Sequence, residues 1–317
     1  MKKIASISCL LMILISCQNK KEVHSTDKDL KNDLQFENLH GNVKEFTLKK
    51  AYPLGDSETE FQEAVVHAIY TFNEAGNFEK TEIFNDFGKL DTRSAFLYNN
   101  NELLVEFKMR SFSGDENMEV RELNTYNEDA LLEHQEHFQN QKLVFEADVT
   151  YDTEKNITTW RYLHNNQTMT KTAETFLDDQ DRIIKIIETS DKENIKNVQS
   201  NVYDDSGNLI KHEANIGSLK FRDEYTYENG KRVEMKNYSI PLSEEVFLDM
   251  ITNYDAHKNA VKISHYENAA LKKVFTYTYE YDAQGNWIKK ITHINRNPAS
   301  GETFDLYLLE TRDITYW

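Results

Sequence analysis

The chain has 317 residues and a formal net charge of −17, from 54 acidic and 37 Lys or Arg side chains. A surface this acidic repels phosphate backbones and so excludes nucleic acid as a partner. Apolar residues make up 39%, with 17 Phe, 17 Tyr and only 3 Pro, which excludes a largely disordered chain.

The N-terminus reads MKKIASISCLLMILISCQNKKE. Lys2 and Lys3 precede an apolar run, Ile4–Ile15, that is shorter than the about 20 residues a membrane span needs and has the size of a signal-peptide core. Leu14-Ile15-Ser16-Cys17 resembles a bacterial lipobox, with a small residue before the cysteine and polar QNKK after it. The resemblance implies residues 1–16 as a signal peptide cleaved after Ser16, and acylation (palmitate or a similar chain) of Cys17. Cys9 also follows a serine, but apolar residues come after it. Cleavage removes Lys2 and Lys3 and takes the charge from −17 to −19. With Cys9 lost and Cys17 lipidated, the mature chain has no disulfide. Two or more acyl chains, at about 0.8 kcal/mol per buried methylene, hold a protein firmly on a membrane. Residues 17–33 are polar and read as a lipid-anchored tether. Residues 34–317 read as one domain.

That domain is repetitive. Aromatic residues that precede a turn recur at Phe72, Tyr98, Tyr126, Tyr151, Phe176, Tyr203, Tyr227, Tyr254 and Tyr281, with gaps of 24 to 28 residues. A sustained period is the signature of a repeat architecture. Most of these aromatics are followed by the chemistry of a hairpin loop. In NEAG (Asn73–Gly76), DDSG (Asp204–Gly207) and DAQG (Asp282–Gly285), an Asn or Asp opens the turn and Gly closes it. That suits a type I turn followed by a left-handed residue. The turns at Lys155 and Lys258 lack the glycine. YENGK after Tyr227 and YNNNE after Tyr98 read as shorter, two-residue loops.

Return turns fall half a period later, at NDFG (Asn85–Gly88), HNNQ (His164–Gln167) and NIGS (Asn215–Ser218). Each period then holds two strands of about eight residues. In FTYTYEY, Phe275, Tyr277, Tyr279 and Tyr281 share one face by strict alternation. Glu58–His67 and Asn127–His137 have helical propensity, but the repeat places strands there. Gly41–Tyr52 reads as the opening strand and Phe304–Trp317 as the closing one. The expected fold is all-β, with tandem hairpins forming one long, twisted or spiralling antiparallel sheet whose aromatic face is covered by curling.

YDDSGNLIKH (Tyr203–His212) and YDAQGNWIKK (Tyr281–Lys290) resemble the tyrosine-aspartate (YD) repeats of Rhs-type proteins, strand–turn–strand units that build spiralling β-sheets. The pattern spans roughly residues 66–295 and is most specific at Tyr203–Asn208 and Tyr281–Asn286. The period here is longer, and several copies lack Gly. The resemblance implies the repeat fold and nothing about toxin delivery. Together with the lipobox, the GNW of the last copy and the aromatic final strand, it is similar to small secreted lipoproteins of Bacteroidetes-type bacteria.

Chemistry-bearing motifs are few. His134 and His137 in EHQEHF are one residue short of a zinc-binding HExxH, and on a strand they face opposite ways. No metal and no cofactor is expected. Carboxylate spacing selects no pair for glycoside hydrolysis, and Asp and Asn concentrate at turns, where backbone capping accounts for them. An aromatic ladder on a sheet can bind sugars or extended peptides; Tyr277, Tyr279, Trp287 and Tyr307 are the candidate ligand-binding residues. The expected protein is a non-enzymatic, envelope-anchored lipoprotein, at the outer membrane or cell surface, that binds a glycan, a peptide or another envelope protein. The alternative is a hydrolase acting on polysaccharide or peptidoglycan.

Overall fold

A computed structural model of the chain describes residues 32–55, 59–113, 118–164, 167–192, 196–241 and 245–317. Cys17, the expected signal peptide and residues 17–31 of the expected tether lie outside the described residues, as does the centre of the HNNQ turn.

One short helix, α1 (Asp33–Phe36), precedes twenty strands. In chain order they are β1 (Val43–Ala51), β2 (Val65–Phe72), β3 (Phe78–Phe84), β4 (Leu90–Tyr98), β5 (Leu104–Ser111), β6 (Met118–Tyr126) and β7 (Leu132–Gln139). Then come β8 (Lys142–Asp152), β9 (Ile157–His164), β10 (Gln167–Leu177), β11 (Ile183–Ser190), β12 (Lys196–Tyr203), β13 (Leu209–Ile216) and β14 (Leu219–Glu228). The last are β15 (Lys231–Ser239), β16 (Phe247–Tyr254), β17 (Ala260–Glu267), β18 (Ala270–Tyr281), β19 (Trp287–Asn295) and β20 (Asp305–Tyr316).

Each strand pairs antiparallel with the next, and β20 returns to pair with β1, from Val43↔Tyr316 to Ala51↔Leu309. The sheet therefore closes into an up-and-down barrel, a more specific form than the twisted or spiralling sheet expected from the repeat. An even number of strands brings the last antiparallel to the first, and closure removes both unpaired edges.

All nine periodic aromatics sit at the ends of even-numbered strands, from Phe72 on β2 to Tyr281 on β18. Every one of their turns therefore lies on one rim. Tyr316, at the end of β20, is a tenth member that the spacing does not reveal. The turn geometry is the same at seven of the nine. The amide of Asn73 donates to the Asn77 carbonyl, and the Asn73 side chain accepts from the amides of Ala75 and Asn77 at 3.0 Å. The same pattern recurs at Asn99, Asn127, Asp178, Asp204, Asp255 and Asp282. The left-handed position is glycine at 76, 207 and 285, but Glu102, Ala130, Asp181 and Lys258 elsewhere. Each such residue adds a bulge at the aromatic, as between Val202 and Tyr203.

Three local readings need correction. YNNNE has the long loop, closed by Asn99 and Glu102 (φ 58°), because its side-chain cap tolerates a non-glycine left-handed residue. In the Glu58–His67 stretch the strand begins only at Val65, and residues 59–64 belong to the β1–β2 loop; Glu58 lies outside the described residues. After Tyr151 the left-handed residue is Asn156 (φ 53°), not Lys155.

The wall has two unlike faces. One carries Phe46, Tyr70, Phe72, Phe78, Phe96 and Phe107, whose rings follow one another across β1–β5 at 4.6 to 6.1 Å, and buried Ala68, Ala147 and Ala214. This is the concave face. The outer face carries charges, as in Lys80–Glu82–Arg93, Lys108–Glu106–Arg121, Lys211–Glu213–Arg222 and Lys236–Glu234.

Twenty strands about 4.8 Å apart give a circumference of about 96 Å before tilt, or roughly 30 Å across. Strand packing runs between ladder neighbours, and most inward side chains are only half-buried. Buried clusters are small: Leu34, Leu39, Val43, Phe46 and Phe72 at the seam, and Leu104, Phe107 and Val120 beside it. The interior is thus a lined space rather than a wall-to-wall core.

The segment from Asn32 to Asn42 docks on the turn-bearing rim. The Asn32 side chain caps α1 and donates to the Ala75 carbonyl, and the Leu34 amide donates to Gly76. Asp33 accepts from the Phe78 amide at 2.7 Å, and Asn38 donates to the His257 carbonyl at 2.8 Å. Asn286, 1% exposed, accepts from the His40 amide and donates to its carbonyl and to Tyr316.

Candidate functional site

The four candidate ligand residues converge. β18 turns Tyr277 and Tyr279 inward, and their ladder partners on β19 are Thr292 and Lys290. Trp287 stands opposite Tyr281 at the start of β19. Its ring is 6.3 Å from Tyr279. Tyr307, on β20, meets Phe275 edge-on at 5.8 Å. Three adjacent strands thus place all four side chains in one strip of the inner wall.

Their accessibility differs. Trp287 is 9% exposed and Tyr307 38%. The Tyr279 hydroxyl donates to the Ala260 carbonyl at 2.7 Å. Burial raises the Tyr277 hydroxyl to about 12, with the carboxylate of Glu310 adding to it. Tyr279 is raised as well, by burial first and then by Tyr277 and Tyr281. All these phenols are neutral donors at physiological pH.

Sequence reasoning missed the charges of this strip. Arg312 lies over the Trp287 ring at 3.8 Å and over Phe46 at 4.7 Å. Burial lowers its guanidinium to about 10, against the opposing pull of Glu37 and Glu310. Its Nε and Nη1 are enclosed and bond to no protein acceptor among the described residues. The two ring faces and the carboxylates of Glu37 and Glu310 together offset its burial. Lys290 pairs with Glu310 and lies over Tyr277 at 5.7 Å and Trp287 at 5.3 Å. The signal was available: counting back by twos from Tyr316 puts Ile314, Arg312 and Glu310 on the face of the closing aromatic. Because Arg312 covers one face of Trp287, the indole supports the wall, and Tyr277 and Tyr307 are left as the contact groups.

His134 and His137 do face opposite ways. His137 is inside, stacked on Phe145 at 4.9 Å and bonded to Glu122 at 2.9 Å. His134 is outside, bonded to Asp148 at 2.8 Å.

Fold and strip together define a closed antiparallel barrel with a charged exterior and an aromatic interior. No family model matches the chain, and no curated protein matches it. Among solved structures, it is similar to a porin-like protein from Bacteroides uniformis, with 14% identity, a TM-score of 0.35, and coverage of 86% of this chain and 98% of that one. A porin-like protein from Bacteroides vulgatus has 10% identity and a TM-score of 0.25, covering 85% and 97%. The TcdB2-TccC3 structure has 11% identity and a TM-score of 0.27, covering 81% of this chain but 19% of that one. At these identities the likeness is one of β architecture alone.

Proposed function

We propose that the protein is a non-enzymatic binding lipoprotein of the cell envelope, held by acylated Cys17, whose barrel takes an elongated glycan against the inner strip at Tyr277 and Tyr307. The observation that carries this reading is the placement of the aromatic ladder on the concave face of a closed wall. Half-exposed tyrosines beside fixed charges suit sugar faces and hydroxyls. The outer wall supports a position in water rather than in lipid, since a membrane-spanning barrel carries an outward apolar band with aromatic girdles.

Calorimetric titration of the chain with a panel of neutral and acidic oligosaccharides tests it. Binding is expected, and Tyr277→Ala or Tyr307→Ala should weaken it about tenfold or more, the loss of roughly 1.4 kcal/mol. Unchanged affinity in both variants, or no binding to any glycan, overturns the glycan reading. Extended peptides serve as the second arm of the panel, and preference for them would reassign the ligand. Shortened glycan products after incubation would mean that the protein is an enzyme.

A further inference from the structure

On the outer wall, β7 and β8 bring together an imidazole and two carboxylates. A ring nitrogen of His134 and one oxygen each from Glu136 and Glu146 all lie within 4.8 Å of one another. The register places Glu136 directly opposite Glu146, and His134 directly opposite Asp148. Like charges facing across a ladder destabilise a sheet. Elsewhere this wall answers its glutamates with cations, as Glu82 with Lys80 and Arg93, Glu106 with Lys108 and Arg121, and Glu213 with Lys211 and Arg222. Here the outer flanks are Leu123 on β6 and Leu163 on β9. Among the described residues, no Lys or Arg pairs with Glu136 or Glu146. The nearest basic partner in register is Arg161, and it stands opposite Asp148.

We propose that His134, Glu136 and Glu146 bind a divalent cation of the zinc type. Asp148 is an acceptor only, so the 2.8 Å contact makes His134 Nδ1 the donor and leaves the Nε2 lone pair for a metal. A carboxylate behind a ligating imidazole is the usual orienting partner of such a site. Zinc accepts this mixed nitrogen and oxygen set, whereas calcium takes oxygen ligands. Tetrahedral zinc places ligand atoms about 3.4 Å apart, so the half-exposed glutamate side chains need only close inward by rotation. The cation also supplies the positive charge that the wall otherwise lacks at this point. This site is independent of the inner strip and of any ligand there.

The test is calorimetric titration of the full chain in detergent with Zn²⁺ alone, with Ca²⁺ as comparator. One equivalent of Zn²⁺ is expected, with Ca²⁺ binding far more weakly. His134→Ala and the double variant Glu136→Gln/Glu146→Gln should abolish it, and Asp148→Asn should weaken it about 10-fold or more as a positioning residue. Thermal unfolding gives a second readout with opposite signs. Without metal, Glu136→Gln should raise Tm by removing the facing charge. With Zn²⁺ present, it should lose the stabilisation that the wild-type chain gains. Absence of Zn²⁺ binding, or binding that survives these substitutions, overturns the site. So does Zn²⁺ binding with no rise in the wild-type Tm.

Discussion

A single Cβ decides how the docked segment meets the rim. Gly76 has φ +85°, and a Cβ there would lie 2.4 Å from Asn32 Nδ2 and 2.9 Å from Leu34 Cδ1. Gly285 has φ +89°, but its nearest neighbour would be His40 at 3.8 Å. The two glycines therefore separate two costs. Gly285→Ala should lose about 1–2 kcal/mol, the strain of left-handed geometry. Gly76→Ala should lose more, because it also pushes out the cap of α1 and the buried Leu34. Equilibrium urea unfolding of both variants checks this; equal losses would mean that the Asn32–Leu34 contact contributes nothing to stability.

At the level of elements, the repeated aromatic is a staple between neighbouring hairpins. The hydroxyls of Tyr126, Tyr151 and Tyr203 donate to the carbonyls of Leu104, Leu132 and Ile183, each the first residue of a strand in the preceding hairpin. Tyr281 and Tyr316 donate instead to the turn carboxylates Asp255 and Asp282. Turn and wall acids also make the barrel sensitive to acid. The Asn208 side chain and backbone amides hold Asp204 below its ordinary 3.8. Lys108 and Arg121 hold Glu106 below 4.5, and at Glu82 burial is outweighed by Lys80 and Arg93. A lowered folded value means stability that is full above the ordinary value and lost as pH falls through the folded one. Asp33 and Glu37 go the other way. Burial raises both, so the docking of α1 strengthens as pH falls towards their ordinary values. Thermal scans should thus show Tm falling below about pH 4.5, while the protection factor of the Leu34 amide, exchange corrected for its intrinsic pH dependence, should rise as pH falls towards the ordinary values of Asp33 and Glu37. A Tm that rises on acidification below that range would contradict the sign assigned to the turn acids.

For the whole molecule, the proposed function turns on how the barrel would be held at a membrane. Its outer face is a mesh of ion pairs, and no helix among the described residues is long and apolar enough to cross a bilayer. In the function proposed above, anchoring is the task of acyl chains on Cys17. Replacing Cys17 with Ala should move the protein into the aqueous fraction on detergent phase separation while the barrel stays folded by circular dichroism. Retention of the folded variant in the detergent phase would show that the barrel wall itself partitions into lipid.

Local chemistry was legible in the residues. The period of aromatics, the Asn or Asp that opens each turn and the alternation of Phe275–Tyr281 determined the strands, the hairpins and the rim on which the turns gather. Each depends on interactions within a few residues. Tyr277 and Tyr279 could be placed on one face for the same reason, since parity assigns a side chain to a face, whereas Trp287 and Tyr307 lie at register shifts that override parity. Closure was not legible. It requires β1 and β20, more than 250 residues apart, to meet in register after twist and stagger have accumulated over every intervening ladder. Small increments of that kind leave no mark on any one hairpin. The same closure decided which face became the interior, set Arg312 between Phe46 and Trp287, and laid the Asn32–Asn42 segment across the rim. On the outer wall, the register between β7 and β8 put Glu136 against Glu146. Sequence determined the units because their forces are local; the tertiary structure decided the ring because its geometry is a sum over all of them.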